Sequence, residues 1–456
     1  MDQISCLQRS FSRTPQTGRS RRSGPFTFHP GDPMRILPIL LLFLSTPVFA
    51  ALNDTGQGLC YDGASLVTCN SGNTGDGAIY PRQDGRFGRD AQAAAGLLSK
   101  TGAGAVGFDF TRICMSGEAA GTGTCPANPT PGTEPNDWAC TRDNVTGLVW
   151  SIETIGPGDW NAATTTHPAN HNGAIRCGFG SDWRVPHSRE LQSILHHGVT
   201  DPAIDVAFFP DTLSNWYWSM DEYAPNTDSV WLVNFFDGSD LPGEKTLNGG
   251  SVRLVHGAPI PDGNFTVNGD ATVQDDSTGL TWDRCSWGQN GSDCASGSAS
   301  IHTWAEALGV AVTANAMNYK GYNDWRLPNR TDLESLVAIS TPVLAIDAAT
   351  FPNTPATPFY WTSTTYAYAT NDAWYIDFAH GISPPAGAKT TPMYVRLVRG
   401  GQSFDALASG AAHVPTLSEW GMILLSLLIA GLAVFSLRRD ARSFSSMVNL
   451  GREGVP

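Results

Sequence analysis

Charge is scarce in this chain. Asp, Glu, Lys and Arg make up 15% of its 456 residues, against about a quarter in an ordinary soluble domain, and lysine occurs only at Lys100, Lys245, Lys320 and Lys389. Of the 28 basic residues ten lie before residue 51 or after 437, and of the 42 acidic residues four do, so residues 51–437 keep 18 and 38, a formal balance of −20. A polyanion such as DNA, RNA or a sulfated polysaccharide meets that surface against its field and without the counterion release that drives binding. Nucleic acid is therefore excluded as a partner. The marks of the commoner catalytic frameworks are missing too: no G-x-S-x-G elbow, no H-E-x-x-H, no phosphate-cradling glycine loop. No C-x-x-C pair points to zinc. Neither a glycine triplet period nor a sustained heptad runs through the chain, which removes collagen and coiled coil.

What is present reads as globular and loop-rich. Gly 48 and Pro 30 favour short elements, while 14 Trp and 10% aromatics are what disordered chains lack. The length suits two or three domains at about 150 residues each.

The organisation shows in an internal repeat. Asp143-Asn-Val-Thr-Gly-Leu-Val-Trp150 returns as Asp275-Asp-Ser-Thr-Gly-Leu-Thr-Trp282, 132 residues on. Asp182-Trp183-Arg184-Val185-Pro186 returns as Asp324-Trp325-Arg326-Leu327-Pro328, 142 on, and Ile204, Asp205, Phe209 and Pro210 follow at the same offset. Tyr217-Trp218, Trp231, Gly238 and Arg253-Leu-Val255 return 143 on, as Tyr360-Trp361, Trp374, Gly381 and Arg396-Leu-Val398. So long a period means two tandem globular domains, 140–257 and 270–401 with a linker 258–269, and not a solenoid. Within each copy the spacing predicts a strand after the Thr-Gly turn, a helix at Trp304-Ala-Glu-Ala-Leu (weaker at Trp160), and a second helix after the proline. The second helix carries Leu191, Ile194 and Leu195, or Leu333, Leu336 and Val337, capped by Ser188 or Asn329. Strands then follow, which makes the class α+β.

These boxes, with the Tyr-Trp strands and the closing Val-Arg-Leu-Val, resemble the Lcl C-terminal domain family in both copies. The stretch from Leu59-Cys-Tyr-Asp62 through Cys69 to Gly77 is similar to what precedes such domains. The resemblance implies an exported surface domain of C-type-lectin-like or sulfatase-modifying-factor-like fold, each copy a short-stranded antiparallel sheet with two helices, and in some members adhesion to glycans. The negative balance argues against sulfated glycans here.

The two ends read as addresses. Residues 34–50, from Met34 and Arg35 through an apolar run to Ala50, form a secretory signal. Residues 1–33 read as an untranslated or disordered extension, with a twin-arginine signal at Arg21-Arg22 as the rival. After a linker 402–412, residues 413–439 hold Pro415, Thr416, Leu417, Glu419 and Trp420, an uncharged stretch 421–437 long enough to span a membrane, then Arg438 and Arg439. That order resembles the IPTL-type C-terminal sorting signal. It implies processing by an exosortase-type protease at the inner membrane and delivery to the cell surface or extracellular matrix, with 440–456 as a cytoplasmic tail. A permanent single-span anchor is the alternative. An exported chain keeps disulfides, and eight cysteines remain in the leader (51–139) and the copies. Eight allow 105 connectivities; spacing favours Cys60–Cys69, Cys114–Cys125, Cys140–Cys177 and Cys285–Cys294.

Candidate sites are few. Asp182 and Arg184, or Asp324 and Arg326, flank a Trp, and an acid on the next helix, Glu190 or Asp332, is placed to hold the guanidinium at a structural junction; a carboxylate or sugar clamp is the functional alternative. Trp218, Trp231, Trp361 and Trp374 read as core or, alternatively, as sugar-stacking platforms. No organic cofactor is expected. Calcium is the one cation left open, at Glu134 and Asn136 in a Glu-Pro-Asn echo of C-type lectins and at Asp275 and Asp276, although turn formation explains the aspartates as well. His196-His197 ends a helix in one copy where the other has Ala338-Ile339. The expectation is thus a binding, adhesion or structural module and not an enzyme, with an enzyme acting on envelope polysaccharide through carboxylates of one copy as the alternative.

Overall fold

In a computed structural model the described residues are 52–400, apart from 70, 71, 76, 342, 385 and 386. The extension 1–33, the signal 34–50, the linker 402–412, the sorting signal with its apolar stretch 421–437 and the tail 440–456 lie outside them. Among the described residues no helix is long and apolar enough to cross a membrane.

Each repeat contains two sheets, not the single antiparallel sheet expected. In the first, Phe110–Cys114, Trp138–Asp143, Val149–Ser151 and Val255–His256 form a four-stranded sheet, and Ile155–Gly158, Gly250–Val252, Trp216–Glu222, Ser229–Asn234 and Asp240–Glu244 form a five-stranded one in that order. In the second, Phe265–Val267, Thr272–Asp275, Leu280–Asp283 and Val398–Gly400 build the four, and Ile301–His302, Met393–Tyr394, Tyr360–Thr365, Asp372–Ile376 and Gly387–Ala388 the five. Strand order is identical. Even the one parallel pairing in each five-stranded sheet recurs at corresponding positions, Ser251 with Tyr217 and Tyr394 with Tyr360. The first repeat therefore takes an edge strand, Phe110–Cys114, from the stretch read as leader.

The repeated boxes build these elements. Asp143 and Asp275 accept hydrogen bonds from the residues two and three ahead, and Gly147 N and Gly279 N donate to their carbonyls at 2.8 Å. Both glycines sit at positive φ, 79° and 76°, where a Cβ is disfavoured. The chain then enters the next strand, whose Trp150 or Trp282 is fully buried.

The helices match less well. Trp304–Ala316 is a regular helix buried along Trp304, Ala307, Leu308, Ala311 and Ala314. Its weaker counterpart contains a π segment, Ala162–Thr166, followed by the helix His167–Asn172. There Thr164 and Thr165 hydroxyls bond the carbonyls of Trp160 and Asn161, and Pro168 has no N–H for the ladder. The second helices are short, Ser188–Ser193 and Arg330–Glu334. Asn329 caps the latter as expected, accepting from Asp332 N at 2.8 Å; in the first repeat His187 occupies the cap and Ser188 is the first helical residue.

All four disulfides pair as the spacing suggested. Cys60–Cys69 closes the hairpin Leu59–Tyr61 and Leu66–Thr68, and this leader hairpin packs on the distant second repeat. Tyr61 joins the core of Trp304, Leu308 and Trp361 and donates to Asn371 Oδ1 at 2.8 Å. Lys389 Nζ lies 3.4 Å from the Tyr61 ring centre and 4.2 Å from that of Trp304. Burial pulls the Lys389 ammonium down to about 6.

Candidate functional site

The Asp-Trp-Arg-x-Pro boxes form the junctions before the short helices. Arg184 reaches Glu190 with both terminal nitrogens at 2.6 Å. Arg326 grips Asp332 the same way, its Nη2 at 3.2 Å from Oδ1. Trp183 and Trp325 are buried between, each with backbone N and O bonded by one side-chain amide, Asn172 or Asn315. These Asn are a matched pair 143 residues apart that the sequence reading missed. Asp324 Oδ1 accepts from Arg399 Nε at 2.6 Å, and Asp182 sits at a positive φ of 66°. Both guanidiniums are thus engaged by an acid of their own repeat, as the structural-junction reading has it.

The four strand tryptophans are also spent on structure. Trp218, Trp231, Trp361 and Trp374 are 0–2% exposed, so the stacking platforms held open by the sequence are closed by packing. The calcium candidates are engaged locally. Asn136 Oδ1 accepts from Thr124, Asp276 Oδ2 from Thr266, and Asp275 from Ser277 and Thr278, while Glu134 is exposed. Among the described residues no group of three or more His, Cys, Asp or Glu side chains is arranged to hold a metal ion.

What the sequence did not announce is the contact between the repeats. Corresponding residues meet across it. Gln192 Nε2 donates to Glu334 Oε1 at 3.1 Å, and these two occupy the same place in their helices. Ser383 N donates to Asp240 Oδ1 at 2.6 Å, again counterparts, 143 residues apart. Self-matching contacts of this kind lie on a twofold axis; here the axis is approximate and relates two parts of one chain. Arg330, 1% exposed, is the hub, bonding Asp240 at 3.2 Å, Glu334 at 3.0 Å and Gly238 O at 3.4 Å with its guanidinium 5.2 Å from the Trp374 ring centre. His197 packs on Trp374 from the other repeat, 5.3 Å between centres. Burial raises the Asp240 carboxyl above its usual range, with the nearby Glu334 adding to it and Arg330 opposing.

A cleft of about 360 Å³ opens beside this axis. One wall is the start of the first repeat's helix, with His187, Arg189 and Gln192; the other is Glu334, Val337 and Ile339 of the second; the linker Pro259–Asp262 completes it. His187 Nδ1 bonds Asp221 Oδ1 at 2.6 Å, and this hydrogen bond outweighs burial and raises the imidazole above its ordinary value. Asp221 also accepts from Ser188 N at 2.6 Å. Arg189 reaches the carbonyls of Pro261, Ser335 and Val337.

A family model for the Lcl C-terminal domain matches residues 139–256 and 271–399, together more than half of the chain. The chain belongs to this family. The IPTL-CTERM motif matches residues 414–439, so the Lcl-type pair carries a C-terminal sorting signal handled by an exosortase-type system. With four disulfides among the described residues, that signal marks an exported, surface-directed protein. No curated protein matches the chain.

A further pocket, about 230 Å³, belongs to the first Lcl-type repeat alone. His167, His171, Glu153 and Arg176 line it, with Glu153 2.9 Å from Arg176 and 3.8 Å from His171 Nε2. Burial lowers His171 to about 4. The corresponding positions in the second repeat are the core residues Val310 and Ala314. The His187–Asp221 pair, too, has a signal in hindsight, for its counterparts are Asn329 and Thr364, and a change of chemistry at aligned positions inside a repeat marks divergence of role.

Proposed function

We propose that this protein works outside the cytoplasm as a binding, adhesion or structural component of the cell envelope or extracellular matrix, and that it is not an enzyme. Its repeats are read as C-type-lectin-like or sulfatase-modifying-factor-like, joined into one body. The stretch 421–437 anchors the chain in the inner membrane until an exosortase-type protease releases it to the surface or matrix. The observation carrying this reading is that the box arginines and the strand tryptophans of both repeats are engaged in internal contacts, while among the described residues the concave surface between the repeats stays open. With a balance of −20 over residues 51–437, a glycan ligand is neutral or weakly charged and not sulfated. An array of neutral, acidic and sulfated glycans probed with the exported protein, with and without calcium, tests this. Saturable binding to neutral glycans is expected, and binding confined to sulfated ones contradicts it.

One observation favours the alternative of an enzyme acting on envelope polysaccharide. Asp221, Asp262 and Glu334 line the same cleft beside His187, and paired carboxylates are the apparatus of glycoside hydrolysis. New reducing ends released from envelope polysaccharide, and abolished in Asp221→Asn, would establish it; none are expected.

A further inference from the structure

An approximate twofold axis produces two related clefts, one on each side. Among the described residues one is filled by the chain and the other is not. On the full side the leader residues Asn53–Gln57 lie across the interface. Asn329 Nδ2 donates to Asp54 Oδ1 at 2.9 Å, His197 N to Thr55 O at 2.7 Å, and Gln57 pairs with the backbone N and O of Thr365, both at 2.7 Å. Asn53 Nδ2 reaches Ser193 O at 3.0 Å. Asp84 backs the segment, accepting from Thr55 and Thr364 hydroxyls at 2.7 Å. Gly56 is required by the fit, since a Cβ there would stand 2.6 Å from His196 Nδ1.

On the open side the corresponding places are present without the segment, save that Ser335 O, the counterpart of Ser193 O, accepts from Arg189 Nη2 at 3.4 Å. His187 corresponds to Asn329, Ile339 to His197, Asp221 to Thr364, and Glu222 to Thr365. The linker Pro259–Asp262 corresponds to residues 104–107 on the full side, because Asp276 N bonds Asn264 O just as Asn144 N bonds Asp109 O. Among the described residues nothing in the first repeat's surroundings plays the part of Asn53–Gln57. Two polar groups are left without partners among the described residues. The N–H of Ile339, counterpart of the one that holds Thr55, has no acceptor among the described residues. Among the described residues the His187 ring is bonded through Nδ1, to Asp221, and its Nε2 has no partner; the residue holds the position that Asn329 holds on the full side.

We propose that the open cleft between the repeats docks an extended peptide segment of a partner protein, an acidic side chain of that segment meeting His187 as Asp54 meets Asn329. The charges around the site fit this occupant. Asp221 is paired with His187 and Ser188 N, Glu334 with Arg330 and Ser383, and Arg189 with three carbonyls and, at 3.7 Å, with the rim residue Asp262. Beside the Asp221 bond at Nδ1, the His187 Nε2 is the imidazole atom with no partner among the described residues. Pro259, Ile260 and Pro261 give the segment an apolar side, and the two prolines offer no competing N–H. Strand-like peptides bind in this manner through backbone hydrogen bonds, with side-chain pockets choosing among them.

The proposal rests on the reading of the protein as a binding module, and its test separates the two. The probe is a labelled peptide of the chain's own sequence 52–58, Leu-Asn-Asp-Thr-Gly-Gln-Gly, titrated into the intact exported protein and followed by fluorescence anisotropy. Saturable binding is expected at about pH 6, weaker by about tenfold at about pH 8 and by about tenfold for a peptide with Asn in place of its Asp. Ile339→Trp fills the open cleft, leaves the leader-filled one untouched and should abolish binding. His187→Gln should leave weak binding that no longer depends on pH or on the acid. Absence of saturable binding, or binding that survives Ile339→Trp through exchange with the leader, overturns the proposal. A glycan-array signal persisting in Ile339→Trp beside a failed peptide titration would remove this site and leave the binding-module reading intact.

Discussion

The two repeats share every strand in the same order, yet they keep different company. The second is sealed by the leader: Arg326 is 2% exposed beneath Phe87 and the carboxyls of Asp54 and Asp84, and Tyr61 reaches its core. The first leaves Arg184 at 21% side-chain exposure and borders the open cleft. The shared features are those that make the fold, namely turn aspartates, buried tryptophans and box arginines. The differences gather where the axis creates paired sites, and there duplication followed by divergence lets one copy become a socket for the chain's own leader while the other stays free.

The sharpest way to break this comparison is at the hub. Arg330→Ala should destabilise the protein by about 3–5 kcal/mol in urea unfolding, because Asp240 and Glu334 remain buried without their cation. Its counterpart Ser188→Ala should cost under about 1 kcal/mol. Equal effects would mean that the interface does not lean on the second repeat's helix. Next come the cross-links. Loss of Cys140–Cys177, with a sequence separation of 37, should destabilise by about 4 kcal/mol, and loss of Cys285–Cys294, separation 9, by about 2.5 kcal/mol, from the entropy returned to the unfolded chain. Serine double variants followed by thermal unfolding measure the difference.

A smaller effect is carried by pH. Burial lifts Asp54 to about 6 and Asp84 to about 8. Between about pH 4 and 8 the folded leader therefore holds protons that the unfolded chain has released, and stability falls as pH rises through that window. Lys389, lowered to about 6 by burial, acts in the opposite sense above that pH. Asp84→Asn removes one falling component and leaves the lysine, so its stability should decline less from pH 4 to 8 than the parent's; a steeper decline would contradict the buried acid. Least of all, His187→Gln should lower stability by about 1 kcal/mol or less. That loss is full at low pH and vanishes as pH rises through the raised imidazole value, which unfolding at about pH 5.5 and pH 8.5 resolves.

Much of the fold was legible because the repeated residues act locally. A turn aspartate, a positive-φ glycine and an arginine six positions before its acid announce themselves within one short window. The disulfides follow for the same reason, each closing a modest loop. The leader's allegiance was not legible. Tyr61 and Asn371, or Gln57 and Thr365, are some three hundred residues apart, and no period links them. The tryptophans misled by half, since indole rings suit a core and a sugar platform equally until their exposure is known. The open cleft was hidden because it is defined by a missing neighbour, and only the filled cleft opposite reveals what is missing.

Amide hydrogen exchange at two matched positions tests the central claim most directly. If the leader fills one of two related clefts, His197 N–H, held by Thr55 O at 2.7 Å, exchanges slowly, and Ile339 N–H exchanges faster by orders of magnitude in the free protein. Equal protection at the two sites would show that the clefts are not distinguished by the leader, and the asymmetry on which the account stands would be gone.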